Sequence, residues 1–198
     1  MMIEEIIQRE WEFFQDVHNI GGRASCQDDY ETFFLQRRGQ FAVFFPEVNA
    51  SYLQDLKDAK ARGQNPIMEK YAYMMESTDY DYYKTIEDQL PSRSQETREI
   101  IDAICLIEVS MKEEFHDKYP RLASRSRLIH TYEDTKEQTS FETYLRGELS
   151  TYSPKTLYLY GQMLTKMIHQ KQNIVLLIQE QTVQGYGYSS LEEAEEKL

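Results

Sequence analysis

The stretch from Gly21 to Asp29 is the part of this sequence best equipped for chemistry. It reads Gly-Gly-Arg-Ala-Ser-Cys-Gln-Asp-Asp, and it joins flexible backbone, a guanidinium and a thiol to the predicted start of a helix. The unpaired amides and the dipole at a helix start favour an anion, and Arg23 can grip a carboxylate or phosphate with two hydrogen bonds. Alternatively, the stretch is a structural turn whose own aspartates occupy the anion position. The candidate ligand-binding residues here are Gly22, Arg23, Gln27 and Asp28.

Cys26 is a weak catalytic candidate within the same stretch. Its place in the first helical turn lowers the pKa of a thiol, but a nucleophile also needs a base in reach. The nearest histidine in sequence, His18, lies across the glycine turn, and Asp28 and Asp29 oppose thiolate formation. The alternative is a small residue packed in a tight turn.

Two charged residues fall on apolar helical stripes. Arg37 lies four residues after Phe33 and four before Phe41, and Glu108 lies four after Ile104. A charge in a core must be paired or must face a cavity. We therefore predict that Glu108 forms an ion pair with Arg37, Arg38 or Arg146, either as a register-fixing structural pair or as part of a ligand site.

A local echo links two distant segments. Tyr30-Glu31-Thr32-Phe33 resembles Phe141-Glu142-Thr143-Tyr144, and each is followed by Arg-Gly and then Gln or Glu, at 38–40 and 146–148. Chance and an internal duplication are both open explanations. Glu142 and Arg146 have the favourable order for a surface pair four residues apart, and both are added to the ligand-binding candidates.

Motifs for metals and cofactors are weak or missing. Glu113-Glu114-Phe115-His116 supplies one Glu-x-x-His, whereas di-iron bundles use two. Arg125 and His130 have a spacing loosely like that of helical ribonuclease toxins, but they fall in a predicted loop of an acidic chain. The sequence has no zinc pattern, phosphate-binding glycine loop or serine elbow. We predict no metal and no cofactor.

Composition excludes several classes of partner. The formal net charge is −12, with 22 basic against 34 acidic residues, and only Arg121 to Arg127 concentrates positive charge, so nucleic acid and an anionic membrane are not expected as partners. No apolar run approaches the ~18 residues of a membrane span, and the acidic N-terminal segment does not resemble a signal peptide. With only two cysteines, the expected compartment is the reducing cytoplasm.

Helical periodicity runs through almost the whole chain, and no segment alternates like a strand. The helix predicted to start at Ser92 or Ser94 is apolar nearly all round, which is typical of a central, buried helix. Residues 121–138 have no period and form the longest predicted loop, of unassigned role. The predicted helices cover residues 3–19, 25–45, 47–61, a short segment from Pro66, 78–90, 94–119, 140–152, 154–184 with a possible kink at 169–173, and 191–198.

Specific stretches give this chain a resemblance to a bacterial family, domain-of-unknown-function family 4125. They are Trp11, Gly21 to Asp29, Glu31-Thr32-Phe33, Glu69-Lys70-Tyr71, Met74 to Thr78, Tyr119-Pro120 and Ser140 to Leu149. The resemblance implies no activity, cofactor or substrate. It directs attention to the Gly21–Asp29 and Ser140–Leu149 segments as the places to look for function.

The sequence therefore predicts one all-α domain over residues 1–198, an irregular bundle of roughly seven to eight helices without a sheet. Helices around Ile100–Val109 and Leu157–Ile178 are expected to form its central pair. The expected function is a non-catalytic binding or regulatory module, in which Arg23 and Arg146 meet at a polar cleft for a small anionic ligand or a peptide end. One alternative is an enzyme that uses Cys26 or a Glu/Arg set in the same cleft. The other is a structural protein–protein interaction module, which predicts an exposed apolar patch instead. Oligomeric state is unassigned.

Overall fold

A computed structural model describes residues 1–18 and 22–198, whose regular elements are all helices and which contain no strand. They form eleven α-helices, so the all-α prediction is confirmed and the predicted number of seven to eight is wrong. The helices are α1 (Met2–Gln15), α2 (Tyr30–Val43), α3 (Pro46–Ala61), α4 (Pro66–Thr78), α5 (Tyr80–Ile86), α6 (Gln95–Lys118), α7 (Pro120–Ala123), α8 (Phe141–Leu149), α9 (Pro154–His169), α10 (Ile174–Gly185) and α11 (Leu191–Lys197).

Local capping chemistry explains most helix starts. The side chains of Ser94, Ser140 and Ser153 accept hydrogen bonds from backbone amides in the first turns of α6, α8 and α9. The predicted start at Ser25 is wrong, because Ser25–Asp28 forms a 3₁₀-helix. Asp29 caps α2 instead by accepting from the Thr32 amide.

Two differences account for the additional helices. The helix predicted over 154–184 is divided into α9 and α10 by a turn in which Lys171 has a φ of +58°. The segment predicted as a loop over 121–138 contains α7 and the 3₁₀-helix Thr131–Glu133. Both short helices stop after about one turn, too short to leave a periodic signal in the sequence.

Buried apolar residues from Ile6 to Ala194 form one contacting cluster that draws on both ends of the chain. Within it, α2 packs on α10, α4 on α8 and α9 on α6 and α3. Glycines permit a close approach of helices at two crossings, α2 with α10 and α8 with α4. A Cβ on Gly39 of α2 would lie 2.4 Å from the Thr182 hydroxyl oxygen, and one on Gly147 of α8 would lie 2.9 Å from the Lys70 carbonyl oxygen.

The expectation that α6 is buried nearly all round is wrong. Ile101, Ile104 and Cys105 are buried, but Leu106 is 75% exposed and Ile107 is partly exposed. Leu106 and part of Ile107 thus face solvent. None of the described helices combines the length and apolar character needed to cross a membrane.

Candidate functional site

The turn from Gly22 to Asp29 is pinned to α1 by Gln27. The Gln27 side chain is buried and donates to the carbonyl oxygens of Phe14 at 2.9 Å and Val17 at 3.1 Å, while it accepts from the Ala24 amide at 2.9 Å. Gly22, with a φ of +89°, lies in the left-handed region that favours glycine. Gly21 lies outside the described residues. Gln27, proposed as a ligand-binding residue, therefore makes structural hydrogen bonds that shape the turn.

Arg23 folds back onto its own turn. Its guanidinium donates to Asp28 Oδ1 at 2.9 Å, to the Gln27 carbonyl oxygen at 2.8 Å and to Gln15 Oε1 at 2.5 Å. Asp28 thus already accepts a hydrogen bond from the Arg23 guanidinium where an external anion would bind.

Cys26 is an exposed free thiol. Within the described part of the chain, no histidine hydrogen-bonds to it; His116 contacts Ser126, and His130 contacts Glu113. Across residues 1–18 and 22–198, no three His, Cys, Asp or Glu side chains converge as metal ligands.

Arg146 of α8 is held by partners that do not contact Arg23. It pairs with Glu142 at 3.1 Å and with Asp102 of α6, and Glu142 also accepts from the Thr131 amide at 3.1 Å. Arg23 and Arg146 have no partner in common among the described residues.

A buried cluster of four charges, here called the ionic core, lies between α1, α2, α4 and α8. Arg37 donates to Glu10 Oε2 at 2.7 Å and to both carboxylate oxygens of Glu148 at 3.1 Å, and Lys70 Nζ donates to Glu148 at 2.8 Å. All four side chains are at most 9% exposed. Two carboxylates and two cations cancel in charge.

Neutral groups complete the ionic core. Tyr52 donates to Glu10 at 2.7 Å, Tyr152 donates to Glu148 at 3.1 Å, and Gln40 donates to Glu148 at 2.8 Å. Gln40 and Glu148 each follow the glycine of one echoed Arg-Gly pair, so the two echoed segments meet in space. Burial alone would raise the pKa of Glu148, but the charges of Arg37 and Lys70 outweigh it and hold that pKa far below its usual range. The cluster is satisfied internally and acts as a link between helices.

The burial of Arg37 and Glu108 was predicted because each is a charge on an apolar helical stripe. The same pattern is present at the other three members of the ionic core. Glu10 lies three residues after Ile7, Lys70 three after Ile67, and Glu148 three after Leu145. Each is a charge on an apolar stripe, so the signal for three further buried charges was present. Their mutual pairing was not readable, because helical spacing fixes the face of a residue and not its partner.

Glu108 is buried as predicted, but its predicted ion pair is wrong. Arg37 is taken by Glu10 and Glu148, Arg146 by Asp102 and Glu142, and Arg38 is exposed. Glu108 instead accepts a hydrogen bond from the Tyr160 hydroxyl at 2.7 Å. Burial raises the pKa of Glu108 to about 7, although the Tyr160 hydrogen bond partly opposes that rise.

Lys112 lies one helical turn after Glu108 and is 3% exposed. Its Nζ lies 4.5 Å from the Phe115 ring centroid and 5.7 Å from that of Phe141. No carboxylate of the described residues is within ion-pair distance. Burial lowers the pKa of Lys112 to about 8. Its neighbours in sequence are mostly polar, so the local pattern does not predict its burial.

An open groove of about 500 Å³ runs between α6 and α9. Its lining is mainly apolar, with Ile100, Ala103 and Ile107 on the α6 side and Leu157, Tyr158 and Gly161 on the α9 side. Tyr158 is 61% exposed, and a Cβ on Gly161 would meet nothing within 4 Å. We call this feature the α6–α9 groove.

These features define a helical protein with a neutralised ionic core and an open apolar surface groove. The chain matches the family described as "Protein of unknown function (DUF4125)" over residues 1–196, and it belongs to that family. The resemblance drawn from the sequence is thus confirmed. No curated protein and no solved structure matches the chain.

Proposed function

We propose that this chain is a cytoplasmic, non-catalytic protein-interaction module whose α6–α9 groove receives apolar side chains of a protein partner. The single observation that carries this proposal is the open apolar groove of about 500 Å³. Exposed apolar patches on soluble proteins mark interaction sites when they are contiguous and rimmed by polar residues. The free state of both cysteines fits the proposed compartment.

The charged residues support a binding role over a catalytic one. The charges of the ionic core are matched within the cluster, and no histidine of the described residues hydrogen-bonds to Cys26. In contrast, Tyr158 of the groove is 61% exposed and keeps a large side chain in water. Covering the apolar lining of the groove stabilises a complex by about 25 cal/mol per Å² of apolar area.

Photo-crosslinking in growing cells tests this proposal. Tyr158 is replaced by the photoreactive benzoylphenylalanine in the full chain, and Tyr132, which is 84% exposed and lies outside the groove, is replaced in the same way as a control. We expect a discrete crosslinked product from position 158 that the additional substitution Gly161→Trp abolishes. Equal labelling at positions 158 and 132, or a product that persists with Gly161→Trp, contradicts the proposal.

A small anionic ligand or peptide end at Arg23 is a second candidate. It is favoured by exposure: the Arg23 side chain is 47% exposed and its one carboxylate partner, Asp28, is 69% exposed, so a ligand could displace that partner. Asp28→Asn should then strengthen binding of acetate or phosphate in calorimetric titrations, and Arg23→Gln should abolish it. Undetectable binding of both anions to Asp28→Asn rules this candidate out.

A further inference from the structure

The turn that carries Cys26 reaches α4 through the last turn of α1. Gln27, the next residue, donates to the Phe14 carbonyl oxygen at 2.9 Å, and the Phe14 ring centroid lies 6.3 Å from that of Tyr71 in α4. Tyr71 is half-buried, and Cys26 is exposed as a free thiol. The turn thus brings a nucleophilic group to the surface on the side of α4.

Two cations lie over the ring of Tyr144 in α8, the helix that packs on α4. The distance to the ring centroid is 3.5 Å from Lys70 Nζ and 4.6 Å from Arg127 Cζ. Lys70 belongs to the ionic core and is neutralised there. Arg127 is exposed, donates to the Thr139 carbonyl oxygen at 3.1 Å, and has no carboxylate partner in the described part of the chain. Its other N–H groups are available to a ligand.

Electrostatic interactions join these side chains into one cluster, here called the thiol site, which consists of Cys26, Tyr71, Tyr144 and Arg127. Burial raises the pKa of the Tyr71 hydroxyl, and negative charge on Tyr144 or Cys26 adds to that rise. The positive charge of Arg127 opposes it. Neither tyrosine hydroxyl has a hydrogen-bond partner within residues 1–18 and 22–198. Two hydroxyls and a guanidinium can therefore donate to an oxyanion beside the thiol.

We propose that the thiol site reacts with small disulfides that carry a carboxylate. Arg127 and the two tyrosine hydroxyls bind the carboxylate, and the thiolate of Cys26 attacks one sulfur of the disulfide. The bond between the two reagent sulfurs breaks as the bond to Cys26 Sγ forms, and the leaving thiolate takes up the proton that Cys26 released. Cys26 is oxidised and half of the reagent is reduced, so the disulfide is the only oxidant required. The α6–α9 groove takes no part in this reaction.

The acids closest in sequence to Cys26 already have partners. Asp28 pairs with Arg23 at 2.9 Å, and Asp29 caps α2. Both therefore have a defined role in the turn and leave the charge of the thiol site to its own members. Cys105 is buried, so Cys26 is the cysteine that a reagent can reach in the folded protein.

Exchange rates with two aromatic disulfides test the thiol site in the full chain. Dithiobis(nitrobenzoate) carries a carboxylate on each ring, and dithiodipyridine is uncharged near neutral pH. We expect Cys26 to favour the charged reagent by roughly tenfold relative to the preference of mercaptoethanol. Peptide mass spectrometry should locate the mixed disulfide at Cys26, and Cys26→Ser should not form it. A wild-type preference equal to that of mercaptoethanol overturns the inference, as does a product located at Cys105.

Matched arginine variants separate local contact from overall charge. Arg127→Gln should slow exchange with the charged reagent by roughly tenfold and change the rate with the uncharged reagent by less than about twofold. Arg125→Gln removes the same charge from an exposed arginine that donates to the Leu198 carbonyl oxygen, and it should change either rate by less than about twofold. Tyr144→Phe keeps the ring and should slow the charged reagent by roughly threefold. Equal effects of Arg125→Gln and Arg127→Gln overturn the inference.

Discussion

Glu108 and Lys112 lie one turn apart on α6, and both are buried without an oppositely charged partner among the described residues. Burial penalises the charged form of each, so the acid holds its proton to higher pH and the base loses its proton at lower pH. The two side chains therefore make opposite, separable contributions to the pH dependence of stability.

Glu108→Gln should stabilise the protein above pH 7 and have little effect at pH 4.5. The folded pKa is about 7 against a reference of 4.5, so the folded state binds the extra proton and wild-type stability falls as pH rises through that window. The full difference corresponds to about 3 kcal/mol. Glutamine keeps an oxygen for the Tyr160 hydroxyl. Urea unfolding at pH 4.5 and pH 8 measures the effect, and an equal change at both values would contradict it.

Lys112→Met should show the opposite trend. The folded pKa is about 8 against a reference of 10.5, so the unfolded state binds more protons between these values and wild-type stability rises with pH across them. Methionine should add up to about 3 kcal/mol at pH 7, and the gain should shrink toward pH 10.5. Thermal unfolding at pH 7 and pH 10 tests this. A destabilised variant at pH 7 would mean that Lys112 has a partner.

Glu10→Gln should lower the free energy of unfolding by about 3–5 kcal/mol at pH 7, because it leaves two buried cations facing one carboxylate. Glu12→Gln, two residues along α1 on its exposed side, is the matched control and should change stability by less than about 1 kcal/mol. Urea unfolding compares the two. Similar values for both variants would show that the ionic core contributes little.

At the scale of elements, close helix approach depends on Gly147. Its replacement by alanine would place a Cβ 2.7 Å from Met74 Cγ and 2.9 Å from the Lys70 carbonyl oxygen, so α4 and α8 must separate. We expect a loss of about 1–3 kcal/mol in urea unfolding. Gly161→Ala, in α9 with open space around it, should instead gain up to about 1 kcal/mol from helix propensity. A stabilised Gly147→Ala would contradict the close crossing.

Sequence patterns predicted the helices that begin with a strong cap. They did not predict the turn that divides α9 from α10. Ser140 and Ser153 each mark a helix start in both sequence and structure, and Ser94 is one of the two starts predicted for α6. Lys171 is a non-glycine residue in the left-handed region, and no sequence signal distinguishes that from a gentle kink. The apolar residues around α6 led to the wrong prediction that this helix is buried on nearly all sides. Periodicity shows which residues are apolar and not which neighbours cover them.

The candidate site was less predictable than the fold. The buried charges Arg37 and Glu108 could be located from their stripes, but Arg37 pairs with Glu148, 111 residues away. A groove depends on the spacing of two helices from distant parts of the chain. That spacing is a tertiary property with no trace in the local sequence.

At the scale of the whole molecule, one apolar cluster and one ionic core join both halves of the chain. We therefore expect a single cooperative unfolding transition for residues 1–198. Trp11, the one tryptophan, packs against Phe14, Tyr30 and Phe33 and reports on the N-terminal helices, whereas far-ultraviolet circular dichroism reports on all helices. The two urea curves should coincide. Separate midpoints would divide the chain into independent domains.

The 111-residue separation between Arg37 and Glu148 also has a consequence during translation. At about 5–20 residues per second, α8 leaves the ribosome roughly 5–20 s after α2. Throughout that interval the nascent α1–α2 segment has Glu10 but not Glu148 to neutralise Arg37, so its guanidinium stays hydrated. The native crossing of these helices can close only when the later part of the polypeptide arrives, which makes the order of synthesis a constraint on the order of folding.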